Sequence, residues 1–480
     1  MSKSRVLAVL FLLILLAAAA GAWYLKPRFE SEPPQVALSP DTDVLNATTG
    51  VDIVVTDPGS GLRYVSAIVV MGGVEHSLVR EEYARPVREK RIPLATARIP
   101  GLKEGPVTIR IHARDDSFSH AFKGNETLVE KQLTVDVSPP VVELVADDRY
   151  VNFGGVGALV YKASEDTVKS GVKVGERFFP GFKGVVKGHP EQYFAFFAHP
   201  YDAPADARPS LIATDKAGNT KEMRLAYELK GHKYRKSTIA LSDAFLENKV
   251  APLLTDVAAR QAGPKEMFVA VNKKVRKENE DKIAAVTSKA TPKPLWTGAF
   301  SQLSNSKVEA NFADQRTYTF KGETLDTAYH LGYDLSVTKH YPVEVANAGT
   351  VAFTGDLGLY GNTVIVDHGL GLFTLYGHLS SIDVKQGDAV EKRQVIGKTG
   401  ETGFAGGDHL HYGVYLDGVA VLPVEWWDAK WINDNVAPKL DGRTANAASA
   451  PSPSSRRPPP PRVAEHRASP RPSSRPRPRS

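Results

Sequence analysis

The segment Asn362-Thr363-Val364-Ile365-Val366-Asp367-His368-Gly369-Leu370-Gly371-Leu372-Phe373-Thr374-Leu375-Tyr376-Gly377-His378-Leu379 reads as one β-hairpin. Two apolar runs rich in β-branched and aromatic residues flank the glycine-bearing turn His368-Gly369-Leu370-Gly371, the pattern of a tight antiparallel reversal. The second run ends on His378, and six of the chain's thirteen histidines (330, 340, 368, 378, 409, 411) lie between residues 330 and 411. Upstream stands His330-Leu331-Gly332-Tyr333-Asp334, inside a stretch, Ala328–Val337, that reads as strand. On a strand, positions 330 and 334 face the same way, and Gly332 between them has no side chain to obstruct an ion. Downstream, His409-Leu410-His411 puts two imidazoles on one face and turns Leu410 to the core. A set of nitrogen, oxygen and nitrogen ligands leaves a fourth position for water, as in a catalytic rather than a structural zinc site. The chain has no cysteine. That excludes a disulfide framework, a thiolate zinc finger, an iron–sulfur cluster and a cysteine nucleophile together, so any metal must sit on His and carboxylate. No Glu accompanies the motifs, so the glutamate-based mechanism of His-Glu-x-x-His peptidases does not apply.

The connecting text adds Ala348-Gly349-Thr350-Val351, Gly361 leading into the hairpin, Gly387-Asp388-Ala389-Val390 and Gln394-Val395-Ile396-Gly397. With these motifs in this order, the stretch from Ala328 to Pro423 resembles the lysostaphin/LytM-type zinc metallopeptidases, which cleave peptides of bacterial peptidoglycan. The resemblance implies one Zn2+ per chain, held by His330, Asp334 and His411, with His378 and His409 as the two non-ligand histidines of the active site. Zinc lowers the pKa of water and polarises a scissile carbonyl. An adjacent imidazole takes the proton and delivers it to the leaving amine; the choice between His378 and His409 as base stays open. The implied function is a zinc-dependent endopeptidase acting on cross-links or stem peptides of peptidoglycan in cell-wall remodelling. Some LytM-like domains lack ligands and activate other wall hydrolases, so the alternative is a catalytically silent activator; the full set of histidines favours the enzyme. The sequence departs from the usual pattern at Asp408, which stands where a small residue or proline is common and would either orient His409 or cap a turn. His340 and His368 read as structural or solvated. An upstream segment laid over the groove, with Asn305 or Asn311 in the open metal position, would make the enzyme latent.

Working outward, Pro33-Pro34-Gln35-Val36-Ala37-Leu38 returns as Pro139-Pro140-Val141-Val142-Glu143-Leu144. Each copy carries an Asp ahead of Ser-Gly (Asp57, Ser60-Gly61; Asp166, Ser170-Gly171) and ends on Ala-x-Asp (Ala113-Arg114-Asp115; Ala213-Thr214-Asp215). Short alternating runs between turn signals at this period predict two β-sandwiches. The segment Ala213–Asn219 resembles a turn of bacterial immunoglobulin-like repeats. No aromatic platform marks either repeat as a carbohydrate binder. Between residues 231 and 295 the periodicity becomes helical, through Leu241, Phe245, Val257, Phe268, Val271 and Val275. The fold class expected is multidomain and mainly β. An antiparallel LytM-like peptidase domain (296–440) follows two immunoglobulin-like sandwiches (31–137 and 138–230) and a short helical connector (231–295).

Residues 1–30 carry Lys3 and Arg5 and then an unbroken apolar run, Val6–Leu25, of about 30 Å as a helix. This predicts a single-pass inner-membrane anchor with the catalytic domain in the periplasm, the alternative being a cleaved signal and secretion. The net charge of +6 comes from residues 441–480, where nine arginines face Asp441 and Glu465. That Pro/Ser/Arg-rich tail is expected to be disordered. The remainder is near neutral, so no nucleic-acid partner is expected. The partners implied are peptidoglycan, the inner membrane through the N-terminal helix, and other envelope proteins through the sandwiches.

Overall fold

The computed structural model describes residues 3–46, 50–94, 103–231 and 234–443; the tail expected from residue 441 lies almost wholly outside them. The chain opens with the helix Lys3–Leu25, whose leucines from Leu10 to Leu16 are all exposed. At ~1.5 Å per residue it is long enough to cross a bilayer, and its composition is apolar enough.

The first repeat forms two facing sheets. One has the order Gln35–Ser39, Asp52–Thr56, Glu89–Pro93; the other runs Val44–Leu45, Glu126–Val135, Gly105–Asp115, Leu62–Met71, Val74–Val87. Alternation decides which side is dry: Val107, Ile109, Ile111 and Ala113 are buried while the residues between them are not. Val65 and Ala67 from the adjacent strand, and Ile53 and Val55 from the facing sheet, join them in one buried core.

The second repeat builds two four-stranded sheets, Phe182–Lys183, Gln192–Ala198, Val156–Ala163, Val142–Ala146 and Arg177–Pro180, Thr167–Val174, Pro209–Asp215, Thr220–Arg224. Here the core does not close. All seven residues of Gln192–Ala198 are buried, and their apolar cluster continues into the C-terminal sheet through Phe196, which meets Trp426 edge-on at 5.5 Å.

That C-terminal sheet is antiparallel, in the order Lys307–Ala310, Tyr333–Ser336, Leu410–Leu416, Leu372–Gly377, Asn362–Gly369, Gly349–Asp356, Ala389–Val390, with Val419–Val421 pairing Leu410–Leu416. The hairpin is present but its turn is tighter than read. The first strand runs on through His368 to Gly369, and only Leu370-Gly371, at φ 56° and 82°, reverse the chain. Leu370 takes this left-handed conformation, uncommon for a residue with a side chain, with that side chain fully buried.

Two expectations need correction. The His330–Asp334 motif is not one strand. Glu323–Tyr329 ends before it and Tyr333–Ser336 begins inside it, in a different sheet, so the chain bends at Leu331-Gly332. The connector is not purely helical either. Lys236–Leu241 is a strand lying parallel to Gln315–Phe320, which in turn pairs with Glu323–Tyr329; the helices follow between Asp243 and Thr287. Leu241 fits a helical spacing but is claimed by this pairing, because tertiary hydrogen bonding overrides local pattern.

Candidate active site

The bend at Gly332 brings the three motifs together. Tyr333–Ser336 pairs directly with Leu410–Leu416, placing Asp334 opposite His411, and Gly377 lies opposite His411 on the other side. A Cβ at Gly332 would stand 2.6 Å from His411 Nε2 and from the Tyr412 carbonyl oxygen, so only glycine admits this approach. His330 Nε2 then lies 2.9 Å from Asp334 Oδ1 and 3.0 Å from His411 Nδ1, and the last two are 3.1 Å apart. These three residues could hold a metal ion. His330 is locked in one tautomer, because its Nδ1–H donates to the Asn311 carbonyl at 3.0 Å and leaves the Nε2 lone pair facing the other two.

His378 and His409 flank the triangle with their rings 4.8 Å apart, and the His378 ring is 5.8 Å from His411. Each is oriented from behind. His378 Nδ1 donates to the Thr402 carbonyl and His409 Nδ1 to the Gly407 carbonyl, both at 2.8 Å. The His409 Nε2 lies 3.5 Å from Asp334 Oδ1. His378 has a left-handed backbone, φ 62°, and its N–H donates to the Tyr360 carbonyl. Burial pushes the His378 pKa well down, and the neighbouring His409 and His411 push the same way. At His409 burial also acts downward, but the adjacent Asp334 carboxylate outweighs it and raises the pKa. The Asp334 carboxyl is held well below the usual range: burial opposes this, and the surrounding imidazoles, His330 foremost, overcome it.

Sequence reading missed Arg316. Its Nη2 donates to Asp334 Oδ2 at 3.0 Å, so the carboxylate has one oxygen fixed by a guanidinium and the other turned to the histidines. Its strand lies outside every motif, and a lone Arg among alternating residues gives no signal. Also unforeseen is the wall opposite the histidines. Ile239, Leu241 and Phe245 from the connector, with Tyr318 and Phe404, close a cleft of about 400 Å³ that contains His330, Asp334, His378, His409 and His411.

Other histidines and polar residues fall as follows. His368 is fully buried, bridging the Ala348 carbonyl at 2.8 Å and Thr374 Oγ1 at 2.7 Å, a structural role in a strand rather than a turn. His340 is exposed and meets Ser380 Oγ at 3.0 Å. Asp408 accepts the His340 N–H at 3.1 Å, so it pins the 340 loop, while the Gly407 carbonyl is what orients His409. Asn305 donates to Tyr341 Oη at 3.0 Å, and the Asn311 backbone carbonyl accepts from His330 Nδ1–H.

Residues 328–423 match the profile of Peptidase family M23. Over 95 residues the chain is 41% identical to the DD-carboxypeptidase/endopeptidase Mpg of Neisseria meningitidis, covering 20% of this chain and 22% of that protein. Over 112 residues it is 36% identical to the peptidoglycan DD-endopeptidase ShyA of Vibrio cholerae, covering 23% and 25% respectively. The catalytic domain of lysostaphin from Staphylococcus simulans aligns with a TM-score of 0.22 and 26% identity, covering 26% of this chain and 92% of that one. The chain thus spans about a quarter or less of the length of these two curated relatives, and the family match covers residues 328–423. That sheet, with its bend at Gly332 and its ordered histidine motifs, is a peptidase family M23 domain of the lysostaphin/LytM type.

Proposed function

We propose that the chain is a zinc-dependent endopeptidase that hydrolyses peptide cross-links or stem peptides of peptidoglycan, held at the inner membrane by its N-terminal helix with the M23 domain in the periplasm. The observation that carries this reading is the approach of His330 Nε2, Asp334 Oδ1 and His411 Nδ1 to within 3.1 Å of one another beside the paired rings of His378 and His409. The donor set suits zinc: two imidazole nitrogens and one carboxylate oxygen, with the His330 tautomer fixed by Asn311 and the Asp334 orientation fixed by Arg316. When bound, zinc supplies Lewis acidity toward a carbonyl and toward water. The chain's own residues do the rest. His378 and His409, with Nδ1–H committed to backbone carbonyls, present Nε2 to the cleft; one accepts a proton and the other returns one to the leaving amine nitrogen. The cleft wall of Ile239, Leu241 and Phe245 confines an extended peptide against the sheet. The name of ShyA, a peptidoglycan DD-endopeptidase, supports peptidoglycan as the substrate class, and that of Mpg supports endopeptidase activity.

The test is mass spectrometry of fragments released from purified peptidoglycan by the full chain, with and without a zinc chelator, beside Asp334→Ala and His378→Ala. Asp334→Ala is expected to lose both zinc and turnover. His378→Ala keeps zinc and loses turnover by about 10²–10⁴-fold, the scale of a lost proton-transfer group. New amine ends that vanish with the chelator would name the bond. Zinc bound without any cleavage would instead make the domain a silent activator, and full activity in Asp334→Ala would refute the ligand assignment.

A further inference from the structure

The two repeats share more than their β pattern. The acids that recur in both, Asp57 and Asp115 in the first and Asp166 and Asp215 in the second, converge in space. Glu30 joins the first pair and Asp136 the second, and these two are 106 residues apart, the same offset as Pro33-Pro34 and Pro139-Pro140. In each repeat the three carboxylates bring an oxygen to within 4.8 Å of one another.

The first cluster is the more enclosed. Asp57 and Asp115 are 2% and 1% exposed. Asp57 Oδ1 accepts the N–H groups of Gly59 and Gly61, whereas its Oδ2 is buried with no hydrogen-bond partner. Asp115 Oδ1 is fixed by the N–H groups of Ser117 and Asn125, and Glu30 Oε1 by that of Ser60. No base neutralises the group: Arg28 pairs with Asp116 at 2.6 Å instead, and among the described residues the three carboxylates have no ion-pair partner. Burial pushes the Asp57 carboxyl up against the hydrogen bond from Gly61, and the charges of Glu30 and Asp115 add to the rise. A buried, unpartnered oxygen on a carboxylate grouped this closely with two more is an unfavourable arrangement unless a cation completes it.

We propose that Glu30, Asp57 and Asp115 bind Ca2+, which ties the chain leaving the N-terminal helix to the first sandwich. All the donors are oxygens, and they come from three separate segments, which suits the high and flexible coordination number of Ca2+ better than the strict octahedron of Mg2+ or the nitrogen preference of zinc. The position explains the use. Glu30 lies five residues beyond Leu25, just before the first strand, and its counterpart Asp136 lies on the linker between the sandwiches, where Asn219 Nδ2 reaches the Asp136 carbonyl at 2.9 Å. The same triad therefore sits at the entry to each repeat, where an ion would stiffen the joint.

The experiment is a calorimetric titration of CaCl2 alone into the zinc-loaded full chain, beside Glu30→Gln and Asp57→Asn. The wild type is expected to bind with a Kd of about 1 mM or tighter, the range of extracellular modules. Both variants should lower the bound stoichiometry by one ion. Glu30→Gln changes a half-buried residue and leaves the buried pair intact, so it decides the question even where Asp57→Asn does not fold. Absence of binding up to about 5 mM, five times that range, or a stoichiometry unchanged in Glu30→Gln, overturns the proposal.

Discussion

The strand Gly105–Asp115 in the first sandwich and the strand Gln192–Ala198 in the second both fill a core, yet the first alternates buried and accessible residues while the second is buried at every position. Alternation means one dry face and one wet face; a fully buried strand means both faces are covered. The cover on the second sandwich is the C-terminal body, through residues that follow the matched segment 328–423. Trp426 packs on Phe196, Glu425 accepts hydrogen bonds from Asn152 and from the Val156 N–H, and Lys439 pairs with Asp148 at 2.5 Å. The first sandwich has a closed core of its own. Two copies of one sequence pattern have therefore taken different places, one with a core of its own and one sharing its core with the C-terminal body.

The largest test of that contrast is deletion. A chain beginning at residue 138 is expected to fold and to keep the hydrolysis proposed above. A chain beginning at 231 uncovers Trp426 and the apolar face around it, and is expected to aggregate or melt early. A 231–480 fragment with an unchanged Tm would break the comparison outright. Next in size is Trp426→Ala. Trp426 is fully buried among Phe196, Trp296, Phe300 and Trp431, and its removal should cost about 3–5 kcal/mol in the transition of the large body. Ile109→Ala should cost about 2–5 kcal/mol in the transition of the first sandwich only, with hydrolysis unmoved. Calorimetric unfolding of the full chain resolves the two.

The same contrast shows what sequence can carry. The convergence of the histidine motifs was legible because ligand-like patterns restrict residue type and spacing, and glycine marks the close approach at position 332. The repeats were legible because alternation with period two is written locally. What was not legible depends on partners distant in the chain. Nothing around Arg316 announces that Asp334 will need a guanidinium, and nothing in Lys236–Leu241 announces a parallel partner some eighty residues on. The apolar run Tyr193-Phe194-Ala195-Phe196-Phe197 did carry a hint, since it does not alternate, and a strand buried on both faces inside a sandwich requires a second body to cover it.

The last effect, read as a slope with pH rather than a single loss, is the most specific to the shared core. Glu425 is buried between the second sandwich and the M23 domain, and burial pushes its pKa up to about 8, against the opposing hydrogen bonds from Asn152 and Val156. In the unfolded chain the same carboxyl ionises near its ordinary value of 4.5. Over the interval between the two values the unfolded state has released a proton that the folded state keeps. The contribution of Glu425 is therefore fully present below the lower value and falls as pH rises, by up to about 1.4 kcal/mol per pH unit. Glu425→Gln cannot ionise and should remove that slope from the transition of the large body, measured as Tm between about pH 5 and 8, the span in which the folded and unfolded carboxyls differ. The transition of the first sandwich has no contact with Glu425 and should keep its profile. If instead both transitions flattened together, the two sandwiches would be energetically coupled, and the first would have to be counted as part of the large body rather than as a unit of its own.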